Sequence, residues 1–306
     1  MLQNFLDALA INGVQLKRVL LTTGAKQYGV HLGPVKCPML ETDPWIEGKG
    51  RPPNFYYTQQ RILYAAAKKS NFEWVVTYPN DVIGVARGNF MNLSTAVALY
   101  AAVSKELGGE LEFPGSENFY SRFDCFTSSR LHAVFCLWAI KEQNCANQAF
   151  NVVNGDVESW VNLWPKVAKK FGLKVPARQF EKKAPDSSVM KLAEVPPFED
   201  LAAVTGMEGK MRQGIVEARI DLVKWSQKKE VKDAWKRIAE REGLEKDALE
   251  KATWGFLGFV LGRNYDIVIS MSKARKLGWT GYVDNWDALE QSFDELAKEK
   301  IAPKGV

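Results

Sequence analysis

The chain has 306 residues, 46% of them hydrophobic and 25% charged, and a formal net charge of +5 at pH 7. That length permits one large domain or two modest ones, with the composition of a globular protein that buries a substantial core. The positive excess is spread through mixed-sign stretches such as KKEVKDAWKRIAEREGLEKDALEK rather than gathered on one stripe, which argues against nucleic acid as a partner.

Cys37, Cys125, Cys136 and Cys145 lack CxxC spacing, and only His31 and His132 could join them, so no metal site is expected. Cys136 lies in the apolar run HAVFCLWAI, where a cysteine serves as a small core residue. No apolar stretch reaches the ~20 residues needed to span a bilayer, and no secretory leader is evident. The expected setting is the cytoplasm, with reduced thiols and no membrane contact.

In chain order, residues 2–12 carry apolar side chains at helical spacing, and KRVLLTTG (17–24) follows as a short apolar strand ending in glycine. Residues 33–53 are rich in proline, glycine and charge and predict a long functional loop. TQQRILYAAAKKS predicts a helix and EWVVTYP a buried parallel strand. NLSTAVALYAAVSKEL and SSRLHAVFCLWAIKEQ predict two more helices, QAFNVVNGD a third strand, and VESWVNLWPKVAKKFG the helix behind it. Strands alternating with helices predict an α/β fold with a parallel sheet. From Val175 to Asn264 the pattern turns mainly helical and suggests a substrate or cap domain. YDIVISMSKARKLGWTG is expected to return to the sheet before a closing amphipathic helix, NWDALEQSFDELAKEK. The expected units are therefore 1–174, 175–264 and 265–306.

Two constellations bear on chemistry. GFLGFVLG, with Gly255, Gly258 and Gly262, imitates the spacing of a dinucleotide fingerprint. A phosphate-binding turn follows a strand and opens a helix; this segment follows the helical ALEKATW, so its glycines are expected to pack on a helix face. NFYYTQQRI places Tyr56 and Tyr57 at a helix start, and TTGAKQYG carries Lys26 in the loop after the first strand. A nearby ammonium lowers a phenol's pKa from about 10 and makes it usable as acid or base. Arg61, four residues after Tyr57, is too basic for a proton relay. The plainer alternative is that both tyrosines only pack beneath the long loop.

TGAKQYGVHLGP, NFYYTQQRIL, FMNLSTAVALYAA, SSRLHAVFCLWA, AFNVVNGD and SMSKARKLGW together resemble the progesterone-5β-reductase/iridoid-synthase-like branch of the extended short-chain dehydrogenases, in fungal wording. The motifs run in the family's order from Met1 to Pro303. The resemblance implies Tyr57 as the catalytic tyrosine, Lys26 as its assistant, and reduction of activated C=C bonds in enones and enals with NADPH. It implies a substrate pocket walled by Tyr28, Phe55, Phe90, Met91, Asn92 and Phe256. Pro79, Asn80 and Val82 would lie along the nicotinamide if NADPH is bound.

Relative to that family the chain begins in the helix before the lysine motif, without the first βαβαβ unit and its glycine loop. The expected fold is thus the second half of a Rossmann-like parallel sheet with a mainly helical C-terminal substrate domain. Three functions follow. The first is cofactor-independent acid–base catalysis on a carbonyl-containing polyketide- or terpenoid-like molecule, by isomerisation, dehydration, cyclisation or hydrolysis. The second is NADPH-dependent enone reduction with the cofactor half lying outside this chain. The third is a non-catalytic remnant that binds a small molecule or partner. The first is preferred, with no cofactor. The strand edge left open by the absent unit, charged only at Lys17 and Arg18, predicts a homodimer.

Overall fold

Helix α1 (Leu2–Ile11), strand β1 (Arg18–Thr22), α2 (Phe55–Ser70) and β2 (Glu73–Pro79) begin the computed structural model, which describes residues 1–48, 50–89, 91–181 and 187–306. The chain continues through β3 (Val82–Ile83), α3 (Leu93–Glu106), α4 (Glu117–Tyr120), β4 (Thr127–Ser128), α5 (Ser129–Lys141), β5 (Gln148–Val152) and α6 (Trp160–Lys170). Its later part comprises β6 (Ser188–Lys191), α7 (Glu199–Thr205), β7 (Ile215–Ala218), α8 (Leu222–Gln227), α9 (Lys229–Glu242), α10 (Ala248–Lys251), α11 (Trp254–Gly262), α12 (Ser272–Lys276) and α13 (Asn285–Lys298).

The main sheet is parallel, in the order β1-β2-β5, with Leu20 opposite Val75 and Thr77 opposite Phe150. Strand β2 is central, and from Val75 to Pro79 every residue is buried. Trp74 and Tyr78 meet α2: the Tyr64 ring lies 4.2 Å from that of Trp74, and Tyr78 Oη donates to Gln60 Oε1 at 2.7 Å. Thr77 instead meets His132 of α5 at 3.0 Å. Alternate strand residues point to opposite faces, so α2 and α5 cover opposite sides of the sheet. That double cover is why EWVVTYP reads as a continuous apolar run.

Two hydrophobic clusters hold the molecule together. One joins the sheet, α1, α2 and α5 with residues 265–279; the other gathers α3, α6, α8–α11 and α13. They interleave in sequence, because α3 and α6 come from the first half of the chain yet pack with the later helices. Helix α3 is buried from Leu93 to Val103 on nearly all sides, as expected of a helix apolar all round.

Two elements differ from expectation. The helical stretch after residue 175 contains an antiparallel pair, β6–β7, with Met190 opposite Val216. The segment 265–281 does not rejoin the sheet: among the described residues it makes a single bridge, Ile269 to Met39, before α12.

Strand β1 has a partner on one side only among the described residues, and Val19, Leu20 and Leu21 are half-buried. Helix α5 beside it turns Val134, Leu137 and Ile140 outward, Leu137 being 60% exposed. Arg18 does not guard this edge by charge. Its guanidinium donates to Ala139 O (2.7 Å), Ile140 O (3.0 Å) and Glu142 O (2.8 Å) at the end of α5 and pairs with Glu73 at 2.6 Å. A cation there satisfies the orphaned carbonyls of the helix terminus. No described helix is long and apolar enough to cross a membrane.

Candidate active site

Ligands of open parallel sheets collect beyond the carboxyl ends of the strands, and the lysine and tyrosine motifs meet there. Thr23 extends the pairing of β1, its N–H donating to Thr77 O at 2.9 Å. Gly24 then brings the backbone against the end of β2. A Cβ on Gly24 would stand 3.3 Å from Pro79 O and 3.4 Å from Tyr56 Oη. The missing side chain leaves the room in which the Tyr56 phenol reaches the strand ends. A 3-10 turn, Ala25–Tyr28, follows and carries Lys26.

Asn54 joins the two motifs. Its Oδ1 accepts from Tyr56 N–H (3.1 Å), capping α2, and its Nδ2 donates to Lys26 O (2.8 Å).

The adjacent tyrosines have different roles, because successive helical residues point about 100° apart. Tyr57 is 2% exposed. Its hydroxyl donates to Gln27 O (2.6 Å) and accepts from Ile46 N–H (2.8 Å), and its ring stacks on Trp45 at 4.6 Å and 10°. Both directions of the hydroxyl of Tyr57, the expected acid, are committed to buried backbone in this structure, and they fasten the 33–53 loop to the lysine turn. Tyr56 is half-buried, and its hydroxyl has no hydrogen-bond partner among the described residues.

Burial raises the pKa of both phenols. The Lys26 side chain is half-buried without a hydrogen-bond or ion-pair partner among the described residues. Its charge is felt at His31, which burial and then Lys26 push down to about 4. A phenol raised above its ordinary value stays protonated at neutral pH, so Tyr56 can donate to an oxyanion but does not rest as a base.

The other expected site residues scatter. Tyr28 is a core residue: 4% exposed, it donates to Asn151 Oδ1 and sets its ring edge-on to Tyr78. Phe55 is 57% exposed and lies edge-on to Tyr56 at 4.5 Å. Phe90 lies outside the described residues. Met91 is half-buried, and Asn92 caps α3 by accepting from Thr95 N–H at 3.0 Å. Phe256 is half-buried in α11 against the helical cluster. Unforeseen was Gln60, one turn after Tyr56 and fully buried, which donates to Gln27 Oε1 (2.8 Å) and accepts from Tyr78 and Tyr64.

Of the residues expected along a nicotinamide, Pro79 presents its carbonyl toward Gly24. The Asn80 amide is already consumed by Cys125 O (2.6 Å) and Asp124 (3.3 Å), and Val82 is exposed in β3. GFLGFVLG is helical in α11. Gly262 permits a close approach, since a Cβ there would meet Val216 at 2.6 Å and Glu217 O at 2.9 Å; Gly258 has open space around it. Gly155, between β5 and α6, is crowded by Tyr282 and Arg275: a Cβ there would stand 2.8 Å and 3.3 Å from them. No described cluster of His, Cys, Asp or Glu could hold a metal.

Beyond β2 lies a buried ionic cluster that the sequence did not announce. Arg263, 2% exposed, pairs with Asp81 and stands 3.8 Å from Asp124. Burial and the Asp81 charge hold the Asp124 carboxyl well above the usual range.

The chain is 43% identical over 306 residues to an uncharacterized protein of Schizosaccharomyces pombe, covering 99% of this chain and 75% of that protein. It is 27% identical over 314 residues to an (S)-8-oxocitronellyl enol synthase of Camptotheca acuminata, covering 99% of this chain and 69% of the other. A 3-oxo-Delta(4,5)-steroid 5-beta-reductase of Arabidopsis thaliana is 28% identical over 313 residues, again covering 99% and 69%. Among solved structures, the Bordetella bronchiseptica enzyme WbmG in complex with NAD and UDP superposes with a TM-score of 0.51 at 14% identity. The match covers 98% of this chain and 65% of WbmG, and it speaks to the Rossmann-like fold alone. The model of the PRISE-like Rossmann-fold domain matches residues 2–222. With the motifs and the parallel sheet in agreement, the chain belongs to the progesterone-5β-reductase/iridoid-synthase-like branch of the extended short-chain dehydrogenases.

Proposed function

We propose that the chain performs acid–base chemistry on the carbonyl oxygen of a small, enolisable or conjugated molecule, with Tyr56 as the proton donor. The observation that carries this reading is the uncommitted Tyr56 hydroxyl, packed against Gly24 at the ends of β1 and β2. The names of two relatives agree with a carbonyl substrate, one being an enol synthase and the other acting on a 3-oxo steroid. An α C–H bond breaks, its proton going to solvent water; its electron pair forms the C=C bond as the carbonyl π pair moves onto oxygen, which takes the Tyr56 proton to give the enol, and solvent returns a proton to the phenolate. A donor placed where charge develops lowers the barrier more than one matched to the ground state. The turn that carries Lys26 is tied through its backbone carbonyl and Asn54 to the start of the Tyr56 helix. Isomerisation, dehydration and cyclisation all need this oxygen chemistry and no external reductant.

A second reading keeps the same donor and adds NADPH as the hydride source for C=C reduction. It is favoured by the half-buried open edge of β1 and the outward apolar face of α5, where a further α/β unit bearing the dinucleotide site would pack. One experiment separates the two. Enals and enones are incubated with the chain in D2O, with and without NADPH, and followed by proton NMR. Turnover or α-deuteration without NADPH, lost in Tyr56→Phe, supports the first reading. Turnover only with NADPH selects the second, and full activity of Tyr56→Phe in either condition removes Tyr56 from the mechanism.

A further inference from the structure

A cavity of about 420 Å3 opens between the N-terminus of α3 and the segment joining α10 to α11. Asn92, Ala248 and Ile301 form its buried floor, Ala252 and Thr253 its walls, and residues 86–89 its exposed mouth. None of Gly24, Lys26, Tyr56 or Pro79 lines it. Its volume falls in the range of small-molecule sites and equals that of roughly fourteen waters.

The polar groups of the lining are largely spent on one another. Asn92 caps α3 and donates to Ala86 O (3.4 Å), while Thr253 Oγ1 accepts from Asn92 N–H (3.2 Å) and donates to Asn92 O (3.1 Å). The charges at the mouth are balanced in place. Arg87 pairs with Glu245 and with Glu299 (3.2 Å), and Lys251 with Asp247 (2.7 Å). A site meant for an ion keeps an uncompensated charge or a cluster of free donors; this one keeps neither. What remains uncommitted is the Thr95 hydroxyl within and the Asn89 Nδ2 at the mouth, neither of which has a partner among the described residues.

We propose that this cavity is a binding site for a small, neutral, largely apolar molecule carrying one hydrogen-bonding group that meets Thr95. The Arg87–Glu245–Glu299 ion triplet ties the mouth segment to residues beside α10 and after α13, and so fixes the width of the entrance. Burial of the ligand's apolar surface supplies the affinity, and the paired rim rejects charged competitors through unmatched desolvation.

The test uses the neutral fluorophore N-phenyl-1-naphthylamine with the purified chain. Saturable enhancement with a micromolar Kd is expected, weakened at least tenfold in Ala252→Trp, which fills the wall, and in Ala86→Trp, which blocks the exposed mouth without touching the core. The anionic analogue 1-anilinonaphthalene-8-sulfonate is expected to bind at least tenfold more weakly. Unchanged probe affinity in a folded Ala86→Trp variant overturns the proposal. So does loss of binding in Leu137→Glu, which would mean that the probe reads the outer face of α5.

Discussion

Tyr57→Phe removes one oxygen and leaves the ring, so its consequence can be worked from three atoms. The hydroxyl satisfies Gln27 O at 2.6 Å and Ile46 N–H at 2.8 Å, and both residues are buried, at 3% and 6% exposure. Each buried backbone group left without a partner costs about 1–3 kcal/mol. The stack on Trp45 survives the change, so two orphaned groups with some local relaxation come to roughly 2–4 kcal/mol. For a chain of this size that is a fall in Tm of roughly 3–6 °C. Tyr56→Phe removes a hydroxyl with no partner and should move stability by no more than about 0.5 kcal/mol, while slowing turnover by about 10²–10⁴. Thermal melts followed by circular dichroism, set beside rates on the same preparations, test the crossed pattern. A Tyr57→Phe variant that melts with the wild type yet loses turnover would return the acid to Tyr57 and refute this division of labour.

Gly24→Ala should retain most activity while Gly24→Val loses it, because the first carbon already stands 3.4 Å from Tyr56 Oη and a branched side chain displaces the phenol; the ratio of kcat/KM values reads this directly. Arg263→Met should destabilise the fold by about 3–5 kcal/mol, since it strands Asp81 as a buried charge, measurable as a shifted urea midpoint. Asp124 has a raised folded-state pKa, so the native state holds its proton after the unfolded chain has released it at about 3.9. Its contribution to stability is therefore fully present below that value and is lost as pH rises toward the folded-state pKa. Asp124→Asn should flatten that decline, and equal slopes in the two proteins from pH 4 upward would contradict it. In solution the chain is expected to form a homodimer through the β1 edge and the outer face of α5, dispersed by Leu137→Glu. Light scattering that gives a monomer mass at micromolar concentration contradicts this.

The alternation of the first 172 residues was legible because each strand and helix carries its own period. EWVVTYP forms β2 over the same residues, and the helices around it differ by only a few residues at their ends. The β6–β7 pair escaped because Ser188–Lys191 is exposed along its whole length and shows no alternation of burial. The mixing of α3 and α6 with the later helices also escaped, since a helix buried all round does not say which neighbours bury it. At the site, the sequence placed the loop and helix and named Tyr57 by resemblance, but the different surroundings of the two adjacent tyrosines were not legible in it. That difference depends on Asn54 starting α2 at Phe55, and on Trp45 arriving from a loop with no period to read. The Asp81–Arg263–Asp124 cluster was hidden for a related reason: its members lie far apart in sequence and none sits in a recognisable motif.

Asn54 makes the lysine turn and the tyrosine helix a single mechanical part. Of the side chains that start helices well, Ser, Thr and Asp can supply the acceptor for Tyr56 N–H. Asparagine adds an amide that donates across the gap to Lys26 O while its oxygen stays on the cap. The ammonium-bearing turn therefore cannot swing away without loosening the first turn of the helix that aims the phenol. An aspartate in its place would keep the helix start but turn a donor into a second acceptor facing a carbonyl. The turn would be cut loose from a helix that remained intact, separating by one atom the placement of charge from the placement of the acid.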